Sequence, residues 1–208
     1  MPAAPLCLVR IRGGVLEVDE AAASWLASLR TPEVSVVCST GTSRIGRSYL
    51  LNQLIGRSDG FPTSAGVRPC TRGLWLWSEL LGRGSGSASK GSVLLLDCQG
   101  VRGAGDAWED ASLFCLAAAL SSVVLHHTVG AIDEAAIRQL CTLLAGSADS
   151  GGGGAAGRRA AAAARSGAGG EVGGGAAEHG TPSLLWVVRD FSLALRDASG
   201  ALSAAQRV

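Results

Sequence analysis

The segment Gly41-Thr42-Ser43-Arg44-Ile45-Gly46-Arg47-Ser48 carries the most specific chemistry in the chain. Two spaced glycines followed by a cation and a hydroxyl fit the pattern G-x-x-x-x-G-K-S, with arginine in the lysine place. Glycines let backbone N–H groups turn inward and cradle phosphate oxygens, and a following helix adds the positive end of its dipole. Ser48 would offer its hydroxyl to Mg²⁺. Arg47 keeps the charge of the usual lysine, but its guanidinium is planar and bulkier, so the exchange is not conservative at a tight site. A second element lies downstream, Val93-Leu94-Leu95-Leu96-Asp97-Cys98-Gln99-Gly100. It reads as a buried strand ending in D-x-x-G. An Asp at the C-terminal end of a strand faces the crevice where α/β proteins bind ligands, and it can hold Mg²⁺ through water. Gly100 can offer its N–H to a terminal phosphate. Each motif has a plainer reading, a Gly loop that begins a helix and a strand-ending turn. Their occurrence together, in this order, favours a nucleotide phosphate site.

The surrounding elements are those that such a site needs. Val34, Val36 and Val37 form a short β-branched run that feeds the glycine loop, and Arg47 to Leu54 resumes helical spacing. Residues 5–12 and 15–18 alternate around Gly13-Gly14, a hairpin signal. Asp19 can cap a helix bearing Ala22, Trp25, Leu26 and Leu29, which Pro32 ends. Residues 56–70 read as a long loop, Leu74–Trp77 as a short strand and Ser92–Leu96 as another. A buried helix is expected over 111–120, a strand over 121–125 and an amphipathic helix from Ile132 to Leu144, with Ile132, Ala136, Leu140 and Leu143 on one face. Ser183 to Val188 fits a buried parallel strand. This alternation predicts an α/β fold with a parallel or mixed sheet, mostly parallel, covered by helices on both faces.

Between Ser147 and Gly180 the chain is mostly glycine and alanine, without Leu, Ile or an aromatic residue. Such a segment buries too little apolar surface to offset ordering entropy, so 147–180 is expected to be a disordered insertion. The whole chain has 208 residues, a formal net charge of +1 and 47% apolar residues. The balanced charge argues against a dedicated nucleic-acid binder. The six cysteines form no C-x-x-C pair and sit largely in apolar runs. They read as free thiols of a reducing, intracellular compartment. The longest apolar stretch, Leu113 to Leu125, is interrupted by serines and falls short of the ~20 residues that a membrane helix needs. No membrane anchor is expected in this chain, and a cytoplasmic location follows.

Four segments together resemble the GTPase domain of the guanylate-binding protein and atlastin group, within the dynamin superfamily. They are Ser43–Asn52, Cys70-Thr71-Arg72-Gly73-Leu74-Trp75-Leu76-Trp77, Leu95–Gly100, and Trp186-Val187-Val188-Arg189-Asp190-Phe191-Ser192-Leu193. The resemblance implies a phosphate-loop NTPase fold over 1–208, incomplete at its C-terminus, that binds GTP or GDP with Mg²⁺. It implies that Gly41, Ser43, Arg44, Ile45, Gly46, Arg47, Ser48 and Tyr49 contact the nucleotide from the loop. Asp97 and Gly100 would serve its phosphates, and Arg189 with Asp190 would read guanine. Ser48, Thr71 and Asp97 would hold the metal. Arg44 matches an internal arginine finger that acts when two GTPase domains meet, so a nucleotide-dependent homodimer is implied. Thr71 matches the switch threonine.

The chain departs from the group at two site positions. Arg47 replaces the loop lysine, and Gln99 replaces a glutamate that organises the attacking water. Gln99 can still orient water but carries no negative charge. The chain also stops at Val208, before the group's guanine cap, last sheet elements and helical domain, and any membrane association would depend on such regions. Two expectations follow: a GTP hydrolase of reduced rate, or a pseudo-GTPase that serves as a nucleotide-dependent dimerisation or interaction module.

Overall fold

The computed structural model describes residues 3–31, 33–63, 71–82, 91–101, 107–149 and 182–190, and two short pieces at 196–197 and 200–201. The Gly13-Gly14 turn joins β1 (Pro5–Arg12) to β2 (Val15–Val18) as the expected hairpin. Both glycines have positive φ, which suits a two-residue hairpin turn. Asp19 caps α1 (Glu20–Ser28), its side chain accepting from the Ala21 N–H. The strand β3 (Val34–Gly41) runs further than its β-branched core and leads through the glycine loop into α2 (Arg47–Leu54). Then come β4 (Leu74–Trp77), β5 (Leu81–Gly82), β6 (Ser92–Cys98), α3 (Ala107–Leu120), β7 (Val123–Val129), α4 (Glu134–Asp149) and β8 (Ser183–Arg189). Two-residue strands β9 (Arg196–Asp197) and β10 (Gly200–Ala201) pair with each other.

Among the described residues the main sheet has eight strands in the order β2-β1-β4-β6-β3-β7-β8, with β5 beside β6. The fold is the expected α/β class. One half, β6-β3-β7-β8, is parallel; the other, through β1, β2, β4 and β5, is antiparallel. β6 lies on one side of β3 and β7 on the other, so the loop after β3 opens at the point where strand order reverses. That is where open α/β sheets bind ligands. Because β4 runs antiparallel to β6, with Leu74 opposite Cys98, the residues just before β4 arrive at the same end as those just after β6.

The strand alternation sorts side chains to two faces. Cys38, Leu74, Leu76, Leu94, Leu96 and Cys98 face α1 and α3 and pack with Ala22, Leu113 and Ala117. Leu95 and Trp77 face the other way and pack with Leu51 of α2 and with Phe61. Helices therefore cover both faces, as the sequence suggests. The helix α3 is apolar around much of its circumference because it has two neighbours. Leu113 and Ala117 meet the sheet, while Ala111, Phe114 and Cys115 meet Leu140 and Leu143 of α4. Cys38, Cys98 and Cys115 are buried and outside any disulfide, as are half-buried Cys7 and exposed Cys141. Burial pushes the Cys98 thiol up to about 12.

Three expectations change. Ile132 is not on the buried face of α4; it precedes the helix and is exposed, and Asp133 caps the helix by accepting from the Ala136 N–H at 2.8 Å. The strand Ser183–Arg189 is parallel to β7 as expected but is not buried at its start. Leu184 and Leu185 are exposed, because among the described residues β8 has a sheet neighbour on one side only. The helix α4 continues to Asp149, so the first three residues of the glycine–alanine segment are helical; residues 150–180 of that segment lie outside the described residues.

Candidate functional site

The phosphate-loop candidate forms the turn from β3 to α2. At Gly41 the backbone has φ 113° and lies against β7, in register with His127; an added Cβ would run into the His127 carbonyl. The Thr42 N–H donates to His127 O at 3.0 Å, and the Ser43 N–H donates to Val101 O at 3.2 Å. The base of the loop is thus stitched to β7 on one side and to the segment after β6 on the other. Arg44, at the exposed crest, has φ 69°. Gly46 is the N-cap of α2, with φ 79°, and offers no side-chain cap. The first intrahelical bond is from the Leu50 N–H to Gly46 O. The N–H groups of Arg47, Ser48 and Tyr49 therefore have no partner within the helix, which is the arrangement that receives an anion.

Ser48, Thr71 and Asp97 come from three different elements and meet at this helix start. Asp97 is fully buried at the end of β6. Its Oδ2 accepts from Ser48 Oγ at 2.6 Å and from Thr71 Oγ1 at 2.9 Å, and the two hydroxyl oxygens stand 3.3 Å apart. Among the described residues Asp97 Oδ1 has no hydrogen-bond partner. Burial raises the Asp97 carboxyl above its usual range, against the opposing pull of Arg47, Ser48 and Thr71. A buried carboxylate with a free oxygen is costly unless a cation or donor meets it. Two hydroxyl oxygens and the open oxygen of the carboxylate itself fit Mg²⁺, which prefers oxygen ligands and keeps part of its water shell.

Arg47 takes a different position from that which a phosphate-reaching side chain would occupy. It is 6% exposed and folds beneath the loop. Its Nη1 donates to Cys98 O at 2.6 Å and to Ser39 O at 3.4 Å, and its Nε donates to Thr42 O at 3.1 Å. Nη1 also lies 3.9 Å from Asp97 Oδ1. The guanidinium thus ties β3, the loop and β6 together through carbonyl oxygens. Gln99 is likewise occupied. Its Oε1 accepts from the Gly73 N–H at 3.1 Å, and its own N–H donates to Gly73 O at 2.7 Å. Both polar backbone groups of Gly73 are held by Gln99, two residues after Thr71. The Gln99 Nε2 is buried without a hydrogen-bond partner among the described residues. Gly100 passes close over the loop, with room for no Cβ against Ser43.

The remaining expected residues lie at the same end of the sheet. Arg189 closes β8 in register with Val129, and exposed Asp190 follows with φ 53°. Ile45 is half-buried and Tyr49 is exposed. Two pairs beneath the loop were not found from the sequence. Ser39 Oγ lies 3.2 Å from His127 Nε2, and Thr40 Oγ1 lies 3.3 Å from His126 Nδ1. His126 is also clasped edge-on between Phe114 and Trp186. Burial, with Arg47 adding repulsion, pushes His126 down to about 4 and His127 to about 3, so both imidazoles are neutral near pH 7. Asn52 ends the Ser43–Asn52 segment. Its side-chain amide accepts from the Phe61 N–H at 2.7 Å and donates to Phe61 O at 2.9 Å, so it anchors the start of the loop that leads to Thr71.

An α/β sheet with a glycine loop at its switch point and an acidic residue on the adjacent strand defines a phosphate-loop protein. Over residues 13–208 the sequence matches the family described as guanylate-binding protein, N-terminal domain, and the chain belongs to that family. It is similar to mouse Guanylate-binding protein 1, at 33% identity over 138 residues, 65% of this chain and 23% of that protein. Human Guanylate-binding protein 1 is 33% identical over 65% of this chain and 22% of its own length. Mouse Guanylate-binding protein 7 is 35% identical over 66% of this chain and 21% of its own length. The match therefore spans less than a quarter of these relatives. No helix among the described residues is long and apolar enough to cross a membrane.

Proposed function

We propose that this chain is a GTP-binding domain that uses Mg²⁺ and hydrolyses GTP slowly. The observation that carries this reading is the meeting of Ser48, Thr71 and Asp97 at the uncapped start of α2. Ser48 Oγ, Thr71 Oγ1 and the free Asp97 oxygen are the groups that would hold the cation directly or through water. When bound, Mg²⁺ supplies charge neutralisation for the phosphates. The N–H groups of the first turn of α2 would bind phosphate oxygens, Gly100 would approach the terminal phosphate, and Asp190 would accept from the ring donors of guanine. Arg44, at the loop crest, would act as the arginine finger when two copies pair through this face. That pairing is part of the proposal.

A weakly hydrolysing or non-hydrolysing reading has specific support. The Arg47 guanidinium is committed to three carbonyls under the loop. The Gln99 oxygen is committed to Gly73 rather than open to a water. Neither group is poised over the terminal phosphate position. Both would favour a module that binds nucleotide and pairs with a partner domain more than it turns GTP over. The test is titration of the chain with GTP, GDP, ATP and XTP, followed by phosphate release at saturation. Guanine-selective binding with slow release is expected. Absence of binding to every nucleotide would refute the proposal, and adenine selectivity would refute the base assignment.

A further inference from the structure

Thr71 meets Asp97 from a segment that is held firmly on its C-terminal side. Gly73 has φ 85°, and an added Cβ there would lie 2.1 Å from the Val9 carbonyl oxygen of β1. A side chain has no room, so the chain passes β1 at a fixed point. The peptide unit between Arg72 and Gly73 is gripped at both of its polar atoms. The Gly73 N–H donates to Gln99 Oε1 at 3.1 Å, and the Arg72 carbonyl accepts from Trp75 Nε1 at 2.8 Å. The Gly73 carbonyl accepts in turn from the Gln99 N–H at 2.7 Å. Trp75 lies on β4 directly opposite Asp97 of β6. It is half-buried and packs against the cluster of Leu51, Phe61, Trp77 and Leu95. Packing therefore fixes the body of the indole while its N–H reaches the Arg72 carbonyl.

A peptide unit is planar, so holding it at both ends fixes its orientation. With the 72–73 unit fixed, only the backbone rotations of Arg72 separate Thr71 from a rigid frame. The bond from Thr71 Oγ1 to Asp97 Oδ2 does not provide this hold, because a cation bound at Asp97 competes for the same oxygens. We propose that Trp75 is a positioning residue for Thr71. By holding the Arg72 carbonyl, its indole N–H keeps the Thr71 hydroxyl beside Asp97, so that this part of the cation site is assembled before nucleotide arrives. Trp75 itself touches neither nucleotide nor cation in this reading. A tryptophan serving only as packing would owe nothing to its N–H, and a phenylalanine would fill the same place. The bond lies on the exposed side of the ring, where water can replace the indole at little cost to stability. Its loss therefore loosens Thr71 without unfolding the chain. This inference rests on the proposal that Thr71 and Asp97 serve Mg²⁺.

The experiment compares the native chain with Trp75→Phe, which keeps a ring and loses the donor, alone and in a Thr71→Val background. A non-hydrolysable GTP analogue is titrated with Mg²⁺ and with EDTA. Loss of one hydrogen bond should reduce the Mg²⁺-dependent tightening by about three- to tenfold in Trp75→Phe, with affinity in EDTA unchanged. In the Thr71→Val background the same substitution should cost nothing further, because the indole acts only through Thr71. Without nucleotide, the Gly73 amide hydrogen should exchange faster in Trp75→Phe, at a melting temperature close to the native one. A native-sized Mg²⁺ effect in Trp75→Phe, an equal loss with EDTA, or a full further loss in Thr71→Val would overturn the inference. Unchanged Gly73 exchange would overturn it independently of any nucleotide. If Trp75→Phe does not fold, Trp75→Tyr decides by the same readouts, since its hydroxyl does not stand at the position of the indole nitrogen. A native chain that ignores Mg²⁺ refutes the metal-holding reading, and the inference falls with it; the Gly73 exchange then still shows whether the indole holds the segment.

Discussion

Arg47 and Asp97 face each other beneath the phosphate loop, with Nη1 3.9 Å from Oδ1, both buried, and with the same Nη1 bonded to Cys98 O at 2.6 Å. The distance is too long for a tight ion pair, and the carbonyl bonds hold the guanidinium more firmly than the carboxylate does. Arg47 is therefore first a brace of the loop. Asp97 keeps one oxygen open beside a cation that does not fully neutralise it. Three carbonyls from β3, the loop and β6 share this one guanidinium beneath the loop.

The brace predicts a stability effect separate from nucleotide binding. Arg47→Met leaves the Thr42, Ser39 and Cys98 carbonyls without their donor and Asp97 without its nearest cation. Breaking such a buried polar cluster should cost about 3 kcal/mol. Urea unfolding of the ligand-free chain measures it. A midpoint unchanged from the native chain would show that the carbonyls are satisfied in another way and that Arg47 is not structural.

The two departures from the family pattern should act on rate more than on affinity. In the proposed site, Arg47→Lys would free a cation to reach the phosphates, and Gln99→Glu would place a carboxylate at the position proposed for organising the attacking water. Misplacement of reacting groups can cost about 100-fold in rate. The double variant should therefore raise GTP turnover by one to two orders of magnitude, about 10–100-fold, with a smaller change in GTP affinity. Single-turnover phosphate release and equilibrium titration on the same preparations read the two quantities. Equal gains in both would mean that Arg47 and Gln99 weaken binding and not positioning.

The buried histidines predict an acid-labile loop support. Their folded values, about 4 for His126 and about 3 for His127, lie below the unfolded value of about 6.5. The unfolded chain therefore binds more protons in between. Their contribution to stability is complete above pH ~6.5 and falls as pH drops toward the folded values. Around His127 stand Ser39, Arg47 and Arg189; around His126 stand Thr40, Phe114 and Trp186. The melting temperature should fall between pH 7 and pH 5, and His126→Phe should flatten that slope. An equal slope in the variant would assign the acid sensitivity to other groups.

The local parts of the site were legible in the sequence because glycines and β-branched residues mark them. The β3 run, the Gly41–Ser48 loop, α2 at Arg47–Leu54 and β4 at Leu74–Trp77 all follow from spacing and punctuation. The contacts of Arg47 were not legible. Ser39 and Cys98 lie on two strands that become neighbours only through the sheet order. His127 under Gly41 has the same origin, since β7 inserts beside β3 from far along the chain. The apolar run at β8 reads alike for a central strand and for a one-sided one, so the exposure of Leu184 and Leu185 leaves no signal in the sequence. The cap at Asp133 did leave a signal, an Asp just before a helical pattern, and moves the helix start past Ile132. The end of α4 at Asp149 passes through Gly146, Ser147 and Asp149, all weak helix formers, and so left no signal in the sequence.

Asp97 tests the central claim most directly. GDP and GTP affinities are measured for the native chain and for Asp97→Asn, each with Mg²⁺ and with EDTA. In the native chain Mg²⁺ should tighten GTP binding. In Asp97→Asn that tightening should vanish, while ligand-free stability is kept or raised, because the substitution removes a buried charge with an open oxygen. Native binding that ignores Mg²⁺, or a Mg²⁺ effect of the same size in Asp97→Asn, would contradict the assignment of Ser48, Thr71 and Asp97 as the metal-holding end of a GTP site.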